Sequence, residues 1–200
     1  MSTKPDTLWL KPVFAVHLHF IPEDETLLKL QILQARLAEE AAAPLLQLPK
    51  SSLHMTVATL VRHESLYEVP APELWERSRP SWTARLVEVF SKAPPVHLCF
   101  NRVETSSAAV FVRSDDGQSD LSCLRTKIAD AICLDGVRLA TPKIAHITLA
   151  RYAAFEPVFK TCYHMEMEPI YLCLRSVNLL EEYIYPSIDT RLIEVFSLQG

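Results

Sequence analysis

Two stretches of this chain repeat one pattern of proton-carrying and hydroxyl side chains. Residues 49–60 read Pro-Lys-Ser-Ser-Leu-His-Met-Thr-Val-Ala-Thr-Leu, and residues 142–152 read Pro-Lys-Ile-Ala-His-Ile-Thr-Leu-Ala-Arg-Tyr. Each has a Pro-Lys lead-in and then His-x-Thr inside an apolar, β-branched run. An imidazole titrates near neutrality and exchanges protons at little cost. Two of them on opposite sides of a phosphorus centre divide the work: His54 and His146 would serve as base and acid, in either order. The hydroxyls of Thr56 and Thr148 would hold the non-bridging oxygens as charge grows on them. Lys50, Lys143 or Arg151 could add positive charge. This chemistry calls for no cofactor and no metal.

Composition around both motifs favours strand over helix. Residues two apart on a strand share a face. His54, Thr56 and Ala58 are thus expected on one face, opposite Leu53, Met55 and Val57. His146, Thr148 and Ala150 are expected opposite Ala145, Ile147 and Leu149. Two such strands facing across a groove would gather two His and two Thr around one phosphate.

The remaining chain supplies the elements that must hold these strands. Residues 12–20 alternate as a strand, with Phe14, Val16, Leu18 and Phe20 on one face and His17 and His19 on the other. With no acidic residue or third histidine nearby in sequence, these two read as a hydrogen-bonded strand face rather than a metal or phosphate contact. Residues 23–43 carry an acidic first turn suited to the helix dipole and a Leu27, Leu30, Leu33 (or Gln34), Leu37 stripe, ended by Pro44. Residues 62–81 are rich in proline and charge and read as a long connection, of the kind that is often a lid or binding loop; Tyr67 and Trp75 could stack on a base, or the loop could equally pack against the body. A second helix is expected over 82–92, with Trp82, Leu86, Val89 and Phe90 inward. A strand pair follows over 96–104 and 108–113, then a turn at 114–117. A third helix spans 119–134, with Gly136 past its end. After the second motif come a short helical or irregular piece over 153–162 and two last strands over 170–178 and 190–198. His63, His97 and His164 read as structural or exposed. The order of elements is that of an α+β domain with helices packed outside a largely antiparallel sheet.

Composition narrows the function. The 200 residues are 49% hydrophobic and 22% charged, with three Gly and 14 Pro. That suits one globular domain, or two small lobes sharing a groove. No G-x-G-x-x-G or Walker-type run is present, which argues against nucleotide-triphosphate chemistry of that kind. A formal charge of −4 argues against tracking a long polyanion. A nucleotide or a short RNA terminus is the expected partner. The N-terminus does not read as a signal peptide and no apolar run is of membrane-spanning length, so a cytoplasmic monomer is expected. The five cysteines are odd in number and lack C-x-x-C spacing, so they read as reduced thiols, mostly in the core.

The two motifs together resemble those of the 2H phosphoesterase superfamily, which includes the LigT-like RNA 2′,3′-cyclic phosphodiesterases. The run His146-Ile147-Thr148-Leu149-Ala150-Arg151 is especially close to the family pattern. The first copy departs at Val57, where leucine is usual, and the connection after it is longer and lacks a glycine often found there. The resemblance implies a two-lobed, pseudo-twofold fold over residues 1–200, with one motif from each lobe and antiparallel sheets lining a central groove. It implies metal-independent hydrolysis of a cyclic phosphate or of a 2′,5′ or 3′,5′ phosphodiester. His54 and His146 carry over as catalytic and Thr56 and Thr148 as phosphate-binding. Tyr152, Trp75, Lys143 and Arg151 are further candidate substrate contacts. A 2′,3′-cyclic phosphate is the first substrate expectation; a 2′,5′-linked oligonucleotide or cyclic dinucleotide is the second. A non-catalytic nucleotide-binding module is the alternative of another class.

Overall fold

A computed structural model describes residues 3–64, 67–115, 117–132, 139, 141–155 and 165–199. Among them are nine strands and three helices, an α+β arrangement. The strands are β1 (Pro12–Phe20), β2 (Leu45–Gln47), β3 (Met55–Val61), β4 (Val96–Thr105), β5 (Ala109–Ser114), β6 (Ala145–Tyr152), β7 (Met165–Leu174), β8 (Ser176–Ile184) and β9 (Asp189–Ser197). The helices are α1 (Asp24–Glu40), α2 (Ala71–Ser91) and α3 (Gln118–Ala131).

All strand pairs among the described residues are antiparallel and belong to one sheet, ordered β7-β4-β5-β6-β3-β1-β8-β9, with β2 added on β6. The plural sheets expected from the resemblance are therefore one continuous sheet. The two motif strands lie side by side at its centre. Their contact is sparse: among the described residues β3 and β6 pair at Met55 with Ile147. The far part of the same edge of β6, Ala150–Tyr152, is taken by β2.

Helices close the apolar side. Leu27, Leu30, Leu33, Gln34 and Leu37 of α1 are buried, as the stripe required. α1 follows β1 yet packs on β6, while α3 follows β5 yet packs on β3 and β4. Each of these helices thus backs the motif strand contributed by the other half of the sheet order. Two buried polar side chains fasten the backbone of the motif strands from behind. Gln34 of α1 donates to the carbonyls of Leu48 (2.8 Å) and Leu149 (2.7 Å). Arg125 of α3 donates from Nε to Val57 O (2.9 Å) and from one terminal nitrogen to Thr56 O (3.0 Å) and Ile144 O (3.4 Å). Burial pulls the Arg125 guanidinium down to about 10.

Three segments differ from the sequence reading. The expected loop over 62–81 is helical from Ala71 onward, so α2 is far longer than 82–92. Pro72 falls in its first turn, where no intrahelical N–H is required, and Pro80 is carried inside a long helix. The strand expected over 170–178 is two strands, β7 and β8, separated by Arg175. Helix α1 ends at Glu40 rather than running on to 43. The start of α3 depends on Gly117, whose φ of 67° is left-handed. A Cβ there would stand 2.1 Å from the His97 carbonyl oxygen, so glycine is required. Gly136, His164 and most of the 153–162 segment lie outside the described residues. Of the cysteines, Cys99, Cys123 and Cys173 are described as free thiols, and only Cys99 of these is buried.

Candidate active site

Both motifs open onto one pocket of about 120 Å³, lined by His54, Thr56, His146, Thr148, Arg151, His17, His19, Glu182, Tyr185, Ser187 and neighbours. The route from sequence to pocket runs through matched irregularities in the two motif strands. On β3 the register against β1 jumps so that Thr56 pairs with His19 and Ala58 with Leu18, leaving Val57 as an extra residue. On β6 the register against β5 jumps so that Thr148 pairs with Phe111 and Ala150 with Val110, leaving Leu149 extra. Both bulges thus fall directly after the motif threonine. A bulge of this kind turns two successive side chains inward and re-aims the next one. Val57, Ala58, Leu149 and Ala150 are all buried. The expectation that Ala58 and Ala150 share the polar face is corrected: Thr59 and Arg151 take that place.

The two imidazoles are held alike. His54 Nδ1 lies 2.8 Å from the Ser52 carbonyl, and His146 Nδ1 lies 3.5 Å from the Ile144 carbonyl, in each case two residues back. A carbonyl only accepts, so Nδ1 carries the proton and Nε2 keeps its lone pair in the neutral ring. Burial pushes His54 down to about 4, with further depression from His17, against a raising effect of the Ser52 bond. Burial also lowers His146, and the charges of Arg125 and Arg151 add to this.

A column of rings stands beside the first motif. His19, 1% exposed, stacks on His54 with centroids 3.6 Å apart and planes 10° apart. His17 lies 5.0 Å beyond His19 at 24°. His17 is bonded at both nitrogens, to Thr59 Oγ1 (3.0 Å) and to Glu182 Oε2 (2.9 Å). The other Glu182 oxygen accepts from the Ser187 amide and hydroxyl. The hydrogen-bonded strand face expected for His17 is therefore present, but both histidines also line the pocket. Burial, then the neighbouring His54 and His17, hold His19 well below the usual histidine range.

The second motif ends differently. Arg151 lines the pocket, with Asp6 3.7 Å from its Nε and the Tyr185 ring centroid 5.7 Å from its guanidinium carbon. Other candidate contacts fall elsewhere. Trp75 is fully buried and donates its indole N–H to Glu181 Oε1 at 2.7 Å, so it stands in the core and cannot stack on a ligand. Tyr152 is 1% exposed and donates its hydroxyl to Ala109 O, with burial raising it to about 12. Both are corrected from substrate contact to packing. Lys143 is exposed and is not among the pocket's lining residues. Lys50 pairs with Asp24 at the surface. Glu182 and Tyr185 were not singled out by sequence reasoning; the only signal was the paired acids Glu181 and Glu182 inside an apolar strand.

No protein-family model matches this chain, and no curated protein matches it in sequence. Solved structures do match. The protein TT0787 of Thermus thermophilus aligns with a TM-score of 0.68 and 17% identity, over 93% of this chain and 98% of that one. E. coli LigT in apo form aligns with a TM-score of 0.66 and 16% identity, over 95% and 100% of the two chains. A structure described as a phosphoesterase aligns at 0.62 and 16%, over 93% and 99%. LigT has also been solved with ATP, 3′-AMP, NADP+ and phosphate. Nearly full-length agreement on both sides fixes the architecture: this chain has a LigT-like fold, with both His-x-Thr motifs on its adjacent central strands.

Proposed function

We propose that this protein is a metal-independent phosphodiesterase that opens a 2′,3′-cyclic phosphate at an RNA end or on a nucleotide. One motif histidine takes a proton from the attacking water as it adds to phosphorus. The other gives a proton to the ribose oxygen as its bond to phosphorus breaks, leaving a phosphate monoester and a free hydroxyl. Thr56, Thr148 and Arg151 hold the non-bridging oxygens, whose charge grows in the transition state. The two motifs act as two halves of one domain about the β3–β6 seam. The observation that supports this reading is the convergence of both His-x-Thr pairs and Arg151 on one small pocket. Polar recognition is concentrated on phosphate, and Tyr185 is the aromatic ring beside it.

The test is hydrolysis of nucleoside 2′,3′-cyclic phosphates in EDTA by wild type, His54→Ala and His146→Ala. Each variant is expected to lose on the order of 10²–10⁴-fold in kcat. Wild-type inactivity on these substrates, with turnover of a 2′,5′-linked oligoadenylate or a cyclic dinucleotide, would move the substrate class. Inactivity across the whole panel, with nucleotide binding retained, would replace the enzyme by a binding module.

A further inference from the structure

The ring column beside His54 is asymmetric in its partners, and the asymmetry has a direction. His17, the outer ring, is the member in contact with a carboxylate, 2.9 Å from Glu182, whose side chain is 3% exposed. His19, the middle ring, is almost fully buried, and its Nδ1 has no hydrogen-bond partner among the described residues. His54, the inner ring, faces a carbonyl through Nδ1. Rings stacked at 3.6 Å cannot both carry positive charge without strong repulsion, the more so with His19 buried. A proton entering the column therefore settles where a negative charge waits for it.

We propose that Glu182 and His17 form a positioning pair for His54: they hold the proton of the stacked column on the outer ring and leave His54 neutral, with its Nε2 lone pair free. His19 is the spacer, orienting the His54 plane by contact. The charged and titratable groups facing His54 are His17 and His19 from β1, Glu182 from β8, His146 and Arg151 from β6, and Tyr185 from the turn after β8. Of these, only Glu182 is a carboxylate; its hydrogen bonds go to His17 and Ser187, and its charge reaches His54 without a bond. Removing His17 would leave that carboxylate buried and uncompensated, with His54 as the available proton carrier. Burial is the largest cause of the low proton affinity of His54; the charge of His17 lowers it further and that of Glu182 raises it. The assignment rests on the functional reading of His54 given above, but its measurement does not.

The experiment is a titration of the histidine rings by long-range ¹H–¹⁵N NMR of the intact protein, without substrate. In wild type, His17 should become doubly protonated before His54 as pH falls, with His54 still carrying its proton on Nδ1. In His17→Gln, the proton affinity of His54 should rise on the order of tenfold, from the uncompensated carboxylate. In Glu182→Gln, the order should be lost, with His54 charging together with or before His17. A wild type in which His54 charges first, or a Glu182→Gln protein in which the order persists, overturns the proposal. The wild-type spectrum decides even if a variant does not fold. It also stands if no cyclic phosphate is hydrolysed, so the two readings fail separately. Where turnover is seen, the acid limb of kcat/KM in His17→Gln should move to higher pH in step with the His54 titration; a loss of kcat with that limb unmoved would mark a structural role only.

Discussion

Replacing Arg125 by Met should loosen the floor of the pocket without touching its lining. The guanidinium makes three bonds to carbonyls of Thr56, Val57 and Ile144, on both sides of the β3–β6 seam. Hydrogen bonds involving a charged partner contribute about 1.5–3 kcal/mol each. Against this stands the burial of the charge, which lowers the group to about 10 from an ordinary 12.5 and so costs about 3 kcal/mol. Met keeps most of the apolar stem and removes both effects. The net loss expected is about 1.5–6 kcal/mol, read as a lower urea midpoint at unchanged m. Activity should fall further than stability alone explains, because Thr56 and His146 flank the freed carbonyls and a displacement of about 1 Å costs on the order of 10²-fold. Arg125→Lys keeps a charge but not the planar fork, and should recover only part of the loss. Losing Arg125 should also raise the proton affinity of His146, since the guanidinium charge helps depress it. A Met variant with wild-type kcat/KM and less than about 1 kcal/mol of destabilisation, below even one such bond, would show that the seam is held by other means, and the reasoning would be wrong.

Trp75→Phe removes the indole donor to the buried Glu181, leaving that carboxylate to Tyr183 and Arg191. It should cost about 2 kcal/mol in denaturant unfolding with KM unchanged; a raised KM at full stability would return Trp75 to the substrate. Gly117→Ala meets both a left-handed backbone and the His97 carbonyl, and should lose at least about 2 kcal/mol. A thermal melt indistinguishable from wild type would contradict it. Both motif histidines are held below the usual range in the free protein, so the doubly neutral form prevails near neutrality. The form with one ring charged should peak below about pH 6.5, and kcat/KM should show its optimum there. An optimum well on the alkaline side of neutrality would count against the burial argument. For folding, the sign is the same for His19 and His54: the unfolded rings take up protons first as pH falls through about 6.5, and the folded His54 ring follows only near 4. Stability should therefore fall across that window, by about 3 kcal/mol for His54 alone, in urea unfolding series at about pH 7, 5.5 and 4.

The motif strands were legible because residue type and period agree there: β-branched runs with polar positions two apart fit one buried and one open face. The α1 stripe and the β4–β5 hairpin were legible for the same reason. The bulges were not, since a period of two assumes an unbroken ladder. Their trace is the pair of inward residues between Thr56 and Thr59 and between Thr148 and Arg151, visible only once the fold assigns faces. The first turns of α2 were hidden by Pro70, Pro72 and Pro80, which read as breakers, although a helix N-terminus accepts the first two and the long helix carries the third inside it. That reading left Trp75 open between stacking on a base and packing, and packing is what the helix gives it. Glu182 was hidden because its importance comes from a partner, His17, far away in sequence. Tyr185 lies in a turn, where neither period nor propensity assigns a face.

Arg125 reaches the β3–β6 seam from a helix, and it binds backbone carbonyls there; Gln34 does the same between β6 and the residue after β2. Where most neighbouring strands in a sheet are spaced by a continuous ladder, β3 and β6 are joined, among the described residues, by a single backbone pair and the Arg125 side chain. Such a junction is heritable one codon at a time. On the proposed function, exchanging that one helical residue would shift the two motifs relative to each other while leaving both motifs unaltered.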